Sequence, residues 1–306
     1  VIARLGAFEY ALAERYRFED ELGRGAMGTV YRARDLRLGR PVAIKMLHSA
    51  LTNELGVARF QSEIHIAAAL HHPGIIGIHD CGEADGHLFY VMEYLGGETL
   101  RSRLRRERQL SIDAALSIAR EMAAGLQYAH ERSIVHRDVK PENIILADDR
   151  VCLVDFGLAR IINDSGSERL TETGIAVGTP QYLSPEQASA DKHIGVHSDQ
   201  YALACVLYEM LVGEPPFTGA TATAIAMRHV RDAPVSLSTR RPDAPTATDA
   251  AVMRALRKAP DDRFASIRDF AAAATSLTVD AAPSHAATPK RSTYSALVDA
   301  AKRYWR

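Results

Sequence analysis

The sequence predicts an α+β chain, a small β-rich lobe followed by a larger, mainly helical one. Three observations carry this. Up to about residue 95, short apolar runs alternate with polar residues and glycines, the period-two pattern of antiparallel strands. After Gly97 the spacing lengthens to the three-to-four repeat of amphipathic helices. The chain has 306 residues, 47% hydrophobic and 25% charged, which suits one bilobed domain or two modest ones.

Bulk properties narrow the class. Lys plus Arg number 37 against 38 Asp plus Glu, a net charge of -1, so nothing points to nucleic acid as a partner. Cys81, Cys152 and Cys205 lie far apart with no C-x-x-C spacing. They read as reduced thiols in a reducing, cytosolic compartment, with a disulfide or metal role as the alternative. No signal-peptide pattern opens the chain, and its start on Val1 rather than Met predicts a fragment or a processed form.

Taken in order, residues 1–15 are Ala-rich with a weak helical stripe at Leu5, Phe8 and Leu12. "YRFEDELGRGAMGTVYRARD" and "RPVAIKML" predict antiparallel strands, and a helix is expected from about Glu54 to Leu70 with Phe60, Glu63, Ala67 and Leu70 on one face. "GIIGIHDCG" and "HLFYVMEYL" predict two more strands. "LRSRLRRERQL" holds five arginines between Arg101 and Arg108, read as a solvated helix face over an inner side of Leu100, Leu104 and Leu110, with an acidic-partner patch as the alternative. Ser111 to Glu131 predicts an amphipathic helix N-capped by Ser111.

A short β-hairpin with "ADD" at its turn follows, then a long polar, Gly/Thr-rich loop and a helical remainder to about Leu277. "YALACVLYEMLVG" contains Glu209 and is too short to span a bilayer, so it predicts a buried core helix. The expected division is an extension over 1–15, a domain over 16–277 with lobes 16–95 and 96–277, and a linker with a juxtamembrane-type segment over 278–306.

Chemistry concentrates in a few motifs. Gly23, Gly25 and Gly28 form G-x-G-x-x-G-x-V, which lets a hairpin approach phosphates closely. A plain Gly-rich turn is the alternative. A strand follows the glycines, not the helix that a dinucleotide-binding turn requires. On the strand of "VAIK", alternation puts Val42 and Ile44 on one side and Ala43 and Lys45 on the other, beside Val30. A small residue next to a lysine leaves room for a flat ring and offers a cation to its phosphates. Glu63, on an otherwise apolar helix face, is costly unless paired, and Lys45 is its expected partner.

The stretch "SIVHRDVKPENIILADDRVCLVDFG" sets polar groups beside residues that favour burial. Asn143 and Asp155 offer hard oxygens of the kind Mg²⁺ prefers, from the two ends of the hairpin. Asp138 stands on the preceding loop, where it can orient a hydroxyl and accept its proton, and Lys140 can neutralise phosphoryl charge. The apolar neighbours form the strands that hold them.

These motifs, in this order and spacing, resemble the eukaryotic-type protein kinases: G-x-G-x-x-G-x-V, VAIK, a helix Glu, H-R-D-x-K-x-x-x-N, D-F-G and a Pro-Glu after a loop. The resemblance covers about residues 16–277. "TPQYLSPEQA" and "SDQYALACVLYEMLVGEPPF" are most similar to the bacterial, PknB-like (Hanks-type) Ser/Thr kinases. It implies a bilobed kinase fold and transfer of the γ-phosphoryl of ATP to Ser/Thr of proteins, with Mg²⁺ as cofactor and Mn²⁺ as a substitute.

Residue by residue, it implies that Leu22, Gly23, Arg24, Gly25, Ala26, Met27, Gly28, Thr29 and Val30 form the glycine-rich loop. Lys45 meets the phosphates and pairs with Glu63. Ala43, Met92 as gatekeeper, Glu93, Leu95 and Ile145 surround the base. Asp138 is the catalytic base, Lys140 contacts the γ-phosphate, and Asn143 and Asp155 are metal ligands. His136 and Phe156 pack, Glu186 pairs with Arg263, and Asp199 anchors the catalytic loop. Thr179 belongs to the substrate site. Gly96 stands where some relatives carry a ribose-binding carboxylate. Arg137 before Asp138 marks kinases whose loop is ordered by phosphorylation, here at Thr171 or Thr173.

The resemblance also implies partners: phosphothreonine-binding domains and a second copy of the chain. The terminal "AAKRYWR" has the aromatic and basic character found just inside a membrane, with a frayed tail as the alternative. The expected location is cytoplasmic, with membrane anchoring only if a transmembrane helix follows in a longer chain.

Overall fold

The computed structural model describes residues 6–25, 27–49, 57–156, 180–191 and 193–276. Ala26, Gly157, Thr171, Thr173, Thr179 and the 278–306 segment, for which the sequence raises expectations, therefore lie outside the described residues.

The first lobe is built on a five-stranded antiparallel sheet in the order β1-β2-β3-β5-β4. Its strands are β1 (Tyr16–Gly25), β2 (Gly28–Asp35), β3 (Arg40–Leu47), β4 (Ile78–Ala84) and β5 (His87–Glu93). Alternation along β3 sorts the core into two layers, as expected. Val42 and Ile44 join Tyr16, Ala33, Phe89 and Val91 on the outer face, covered by Phe8 of the short helix α1 (Ala7–Ala11). Phe8 meets Phe18 and Phe89 edge-on, with centroids 5.9 and 5.8 Å apart. The opposite face carries Ala43, Leu47, Leu88, Tyr90 and Met92 against Phe60 and Ile64 of α2 (Val57–Ala68). The β4–β5 turn places Asp85 at φ 49° and Gly86 at φ 71°, the two positive values of a type I′ hairpin.

The second lobe is helical. It opens with β6 (Glu98–Thr99) and α3 (Leu100–Glu107), which Thr99 caps by accepting from the Ser102 N–H. Leu100, Leu104 and Leu110 are buried, as the arginine-rich segment predicts for its inner side. Helix α4 (Ile112–His130) has the expected cap, Ser111 accepting from the Ala114 N–H. The predicted hairpin is β7 (Ile144–Leu146) and β8 (Val151–Leu153), joined to β6 in a three-stranded sheet.

Helices α5 (Pro185–Ala188), α6 (Val196–Val212), α7 (Ala222–Arg231), α8 (Leu237–Arg240), α9 (Thr246–Ala255) and α10 (Ile267–Thr275) complete the lobe. Residues Ser198 to Leu211 of α6 are buried on every side, so the predicted core helix is the axle of this lobe.

Two features join the lobes. Val154 and Ile145, from the hairpin, pack into the inner layer of the first lobe. Backbone bonds run from Leu153 N–H to Gly74 O (2.9 Å) and from Ile76 N–H to Leu153 O (3.0 Å). The hairpin is therefore tied to the segment leading into β4.

Candidate active site

The β1–β2 hairpin packs Met27 and Val30 against the layer that Val154 and Ile145 enter from the second lobe. Gly23 pairs with Val30, Arg24 with Thr29 and Gly25 with Gly28. A Cβ on Gly28 would fall 2.0 Å from the Met46 carbonyl oxygen, so only glycine lets β2 lie this close to β3. Gly23 and Gly25 face open space. Arg24 bonds Glu21 at 2.8 Å, and Leu22 is exposed. Thr29 is fully buried, its hydroxyl without a hydrogen-bond partner.

Beneath the hairpin, Met27, Val30, Leu95 and Ile145 edge an apolar layer that includes Ala43 and Met92. Ala43 and Met92 are cross-strand partners. Six of the nucleotide-site residues expected from the sequence thus lie in one layer: Met27 and Val30 of the glycine-rich loop with Ala43, Met92, Leu95 and Ile145. The Glu93 N–H donates to Gly77 O (2.9 Å), and its carboxylate holds Arg150 of the β7–β8 turn at 2.6 Å.

Lys45 faces the cleft opposite Val30 and is buried, 6% exposed. Its ammonium is ion-paired with Asp155, whose carboxylate follows β8. Glu63, the partner expected from the sequence, sits half-buried on α2 beside inward-facing Phe60 and Ile64. Asp155 adopts a left-handed φ of 66° and accepts a second bond from the Tyr90 hydroxyl. Burial pushes its pKa up, but the Lys45 charge and the bonds from Lys45 and Tyr90 outweigh this and hold it below the ordinary carboxylate range.

Across the cleft, Asp138 Oδ2 accepts from Lys140 Nζ (2.6 Å) and Asn143 Nδ2 (3.0 Å). Neither bond engages Oδ1. Asn143 Nδ2 also donates to the Asp138 carbonyl (2.9 Å), which turns the amide oxygen away from Asp138. The Val154 N–H donates to Asn143 O (3.0 Å), so the hairpin sets Asn143 next to the segment carrying Asp155.

A buried frame supports this loop. Asp199 accepts from the backbone N–H groups of His136 and Arg137 (both 2.8 Å) and bonds His130 Nε2 (2.7 Å). Burial raises the Asp199 pKa, but the His130 bond and charge more than offset it, and the carboxyl stays low. His136 is fully buried, with Nδ1 accepting from the Asp138 N–H (3.3 Å), Nε2 on Val154 O (2.9 Å) and its ring 4.4 Å from Phe156. That is the packing role expected of both residues. Glu186 and Arg263 form a buried bidentate pair at 2.9 and 2.8 Å.

Several contacts had no counterpart in the sequence reading. Gln187 Nε2 donates to Arg137 O at 2.8 Å. Arg101, expected on a solvated face, bridges Glu142 (2.8 Å), Glu209 (2.7 Å) and the Tyr182 hydroxyl. It joins α3, the loop beside Asn143 and α6. The unpaired negative charge of Glu209 inside an apolar run was the signal that some cation must reach it. Tyr90 gave no such signal, since a strand tyrosine normally reads as packing.

Asn143 and Asp155 present an amide oxygen and a carboxylate, the hard donors suited to a small divalent cation. Two of about four lone-pair positions on Asp155 are taken by Lys45 and Tyr90, which leaves others for a cation. The donor set fits.

Comparison with known proteins agrees with this geometry. The family described as "Protein kinase domain" matches residues 16–273. Serine/threonine-protein kinase PknB of Mycobacterium tuberculosis is 44% identical over 259 residues, covering 83% of this chain and 41% of that protein. Serine/threonine-protein kinase PknE of the same species is 41% identical over 261 residues, 85% of this chain and 45% of its own length. The chain therefore spans less than half the length of these curated relatives. The crystal structure of the Mycobacterium tuberculosis PknI kinase domain superposes with a TM-score of 0.68 at 34% identity, covering 85% of this chain and 94% of that one. The chain belongs to the protein kinase domain family, among its bacterial, Hanks-type, PknB-like members.

Proposed function

We propose that the chain is a protein serine/threonine kinase that moves the γ-phosphoryl group of ATP to Ser or Thr hydroxyls of proteins. The observation that carries this is that the Asp138, Lys140 and Asn143 cluster is tied, through the Val154 N–H to Asn143 O bond, to the segment whose Asp155 pairs with Lys45.

Ala43, Met92, Val30 and Ile145 enclose the base. Because the Glu93 N–H is already donated to Gly77, adenine recognition falls to the Glu93 carbonyl and the Leu95 backbone. Gly23 and Gly25 let the hairpin close on the phosphates. Asp138 orients the substrate hydroxyl and takes its proton as the oxygen bonds the γ-phosphorus. The bond from that phosphorus to the β–γ bridging oxygen breaks and ADP departs. Lys140 offsets charge on the transferring group. Asn143 and Asp155 would hold Mg²⁺, or Mn²⁺ in its place, which supplies charge neutralisation at the phosphates. Most of the rate comes from positioning and electrostatics.

Regulation by phosphorylation of Thr171 or Thr173 is part of this reading. Arg137 sits beside Asp138 at a left-handed φ of 67°, and its buried Nε lacks a hydrogen-bond partner. A phosphate would satisfy it. Among the described residues no helix is long and apolar enough to cross a membrane, and the cysteines are free thiols. Reduced thiols and ATP as co-substrate favour the cytoplasm for this domain, as a free enzyme or as the cytoplasmic part of a membrane-anchored kinase.

The test is transfer from labelled ATP with Mg²⁺ by phosphatase-treated protein, beside Asp138→Asn, with phosphopeptide mapping. Wild type should label itself and a Ser/Thr protein substrate, and the variant should lose at least about 100-fold. Nucleotide binding with no transfer by either protein would replace the enzyme with a scaffold. Thr171→Ala combined with Thr173→Ala should lower activity, and an unchanged rate would remove the loop switch alone.

A further inference from the structure

The inner face of β5 presents Leu88, Tyr90 and Met92 by alternation. Leu88 and Met92 are apolar and sit in an apolar layer with Ala43, Phe60, Ile64 and Val154. Tyr90 occupies the middle of that face at 1% exposure, so its hydroxyl enters the layer with no access to water. A buried hydroxyl without a partner is costly, and an aliphatic residue would fill the position without that cost.

The partner it has is Asp155 Oδ1. Lys45 binds the other oxygen, Oδ2. Lys45 and Tyr90 are directly paired across β3 and β5, so their side chains rise from the same face at adjacent points. A single cross-strand pair therefore grips both oxygens of one carboxylate. Asp155 itself stands at φ 66°, unfavourable for a residue with a Cβ, and such a backbone persists where its surroundings over-determine it.

The space behind is small. A cavity of about 10 Å³ lies against Tyr90 and Asp155, walled by Ile64, Ala67, Ile75 and Phe156. It has room for at most one water and offers it mainly apolar walls. Water is a poor substitute for the hydroxyl there.

We propose that Tyr90 is a positioning residue for the metal site: its hydroxyl, together with the Lys45 ammonium, clamps Asp155 and sets the face that the carboxylate presents to a divalent cation. This rests on Asp155 being a metal ligand, as read above. Without the hydroxyl, Asp155 keeps, among the described residues, only its Lys45 bond and gains a rotational freedom that cation binding must remove.

The experiment uses the full chain as wild type, Tyr90→Phe, Asp155→Asn and Ile64→Val. Mn²⁺ bound in the presence of a non-hydrolysable ATP analogue is counted by electron paramagnetic resonance. Thermal unfolding and the Mg²⁺ dependence of transfer are measured alongside. Tyr90→Phe should raise the half-saturating Mn²⁺ and Mg²⁺ concentrations roughly 10-fold, the scale of one lost hydrogen bond to a charged group. Metal-free binding of the analogue should stay as in wild type. Ile64→Val perturbs the same cavity without touching a polar group and should leave Mn²⁺ binding unchanged.

Mn²⁺ binding by Tyr90→Phe within twofold of wild type overturns the proposal, leaving Tyr90 a packing residue. So does an equal weakening in Ile64→Val, which would make cavity packing the cause. If Asp155→Asn binds Mn²⁺ as wild type does, the ligand assignment beneath the proposal fails instead.

Discussion

At the scale of single residues, Asp199 does the most with the least exposure. Its carboxylate gathers two backbone N–H groups and a histidine in a fully buried site, and it fixes the turn on which Asp138 stands. One of those N–H groups belongs to Arg137, whose left-handed backbone needs such a restraint. Asp199→Ala leaves these donors buried and unpaired. It should lower unfolding free energy by about 3–5 kcal/mol and depress transfer further than nucleotide binding. Denaturant titration with parallel binding and rate measurements checks both. A rate loss matched by an equal binding loss would argue against a loop-anchoring role.

At the scale of elements, the β1–β2 hairpin uses its glycines for two different reasons. Gly28 is required by packing, since a Cβ there collides with the Met46 carbonyl. Gly23 and Gly25 have no described neighbour within 4 Å to collide with, and on the proposed function their small size serves the nucleotide. Gly28→Ala should therefore cost about 1–3 kcal/mol by forcing β2 away from β3. Gly25→Ala should leave the melting temperature within about a degree of wild type and raise KM for ATP. Melting curves and initial rates separate the two. Equal effects of both substitutions on stability would contradict the division.

At the scale of the whole molecule, stability should fall with acid in a definite window. His229 is buried between Tyr201 and Phe217, with its Nδ1 on the Tyr201 hydroxyl. Burial, helped by the Lys258 charge, drives its pKa down to about 3. The unfolded chain protonates this histidine near the ordinary ~6.5, so below that pH the unfolded state holds the extra proton. Stability then drops as pH falls, by up to ~1.4 kcal/mol per unit for this one group. Burial also lowers the pKa of His72 and His79, adding in the same direction. The low carboxyls of Glu186 and Asp199 contribute only below the ordinary carboxylate range, about pH 4 to 4.5. Urea unfolding between pH 7 and 5 should thus show a slope that His229→Gln flattens. A slope unchanged by that substitution would assign it elsewhere.

Local pattern in the sequence was enough to read the two-lobed α+β fold and the order of its elements. Those depend on local pattern: alternation on β3, the cap at Ser111, the hairpin of β7 and β8, and polar residues at fixed spacings. The pairing of Glu186 with Arg263 and the anchoring by Asp199 came from family resemblance in the sequence, and the structure contains both. For three other buried polar groups, the partner emerged only in the tertiary structure. Lys45 lies against Asp155, 110 residues away, because the strand register aims it there. Arg101 leaves its arginine-rich face because Glu209 is buried within reach and needs a cation. Tyr90 finds the second oxygen of Asp155 because β3 and β5 pair it with Lys45. Local patterning sets which faces are buried, but the partner of a buried polar group depends on distances between elements that no sequence spacing encodes.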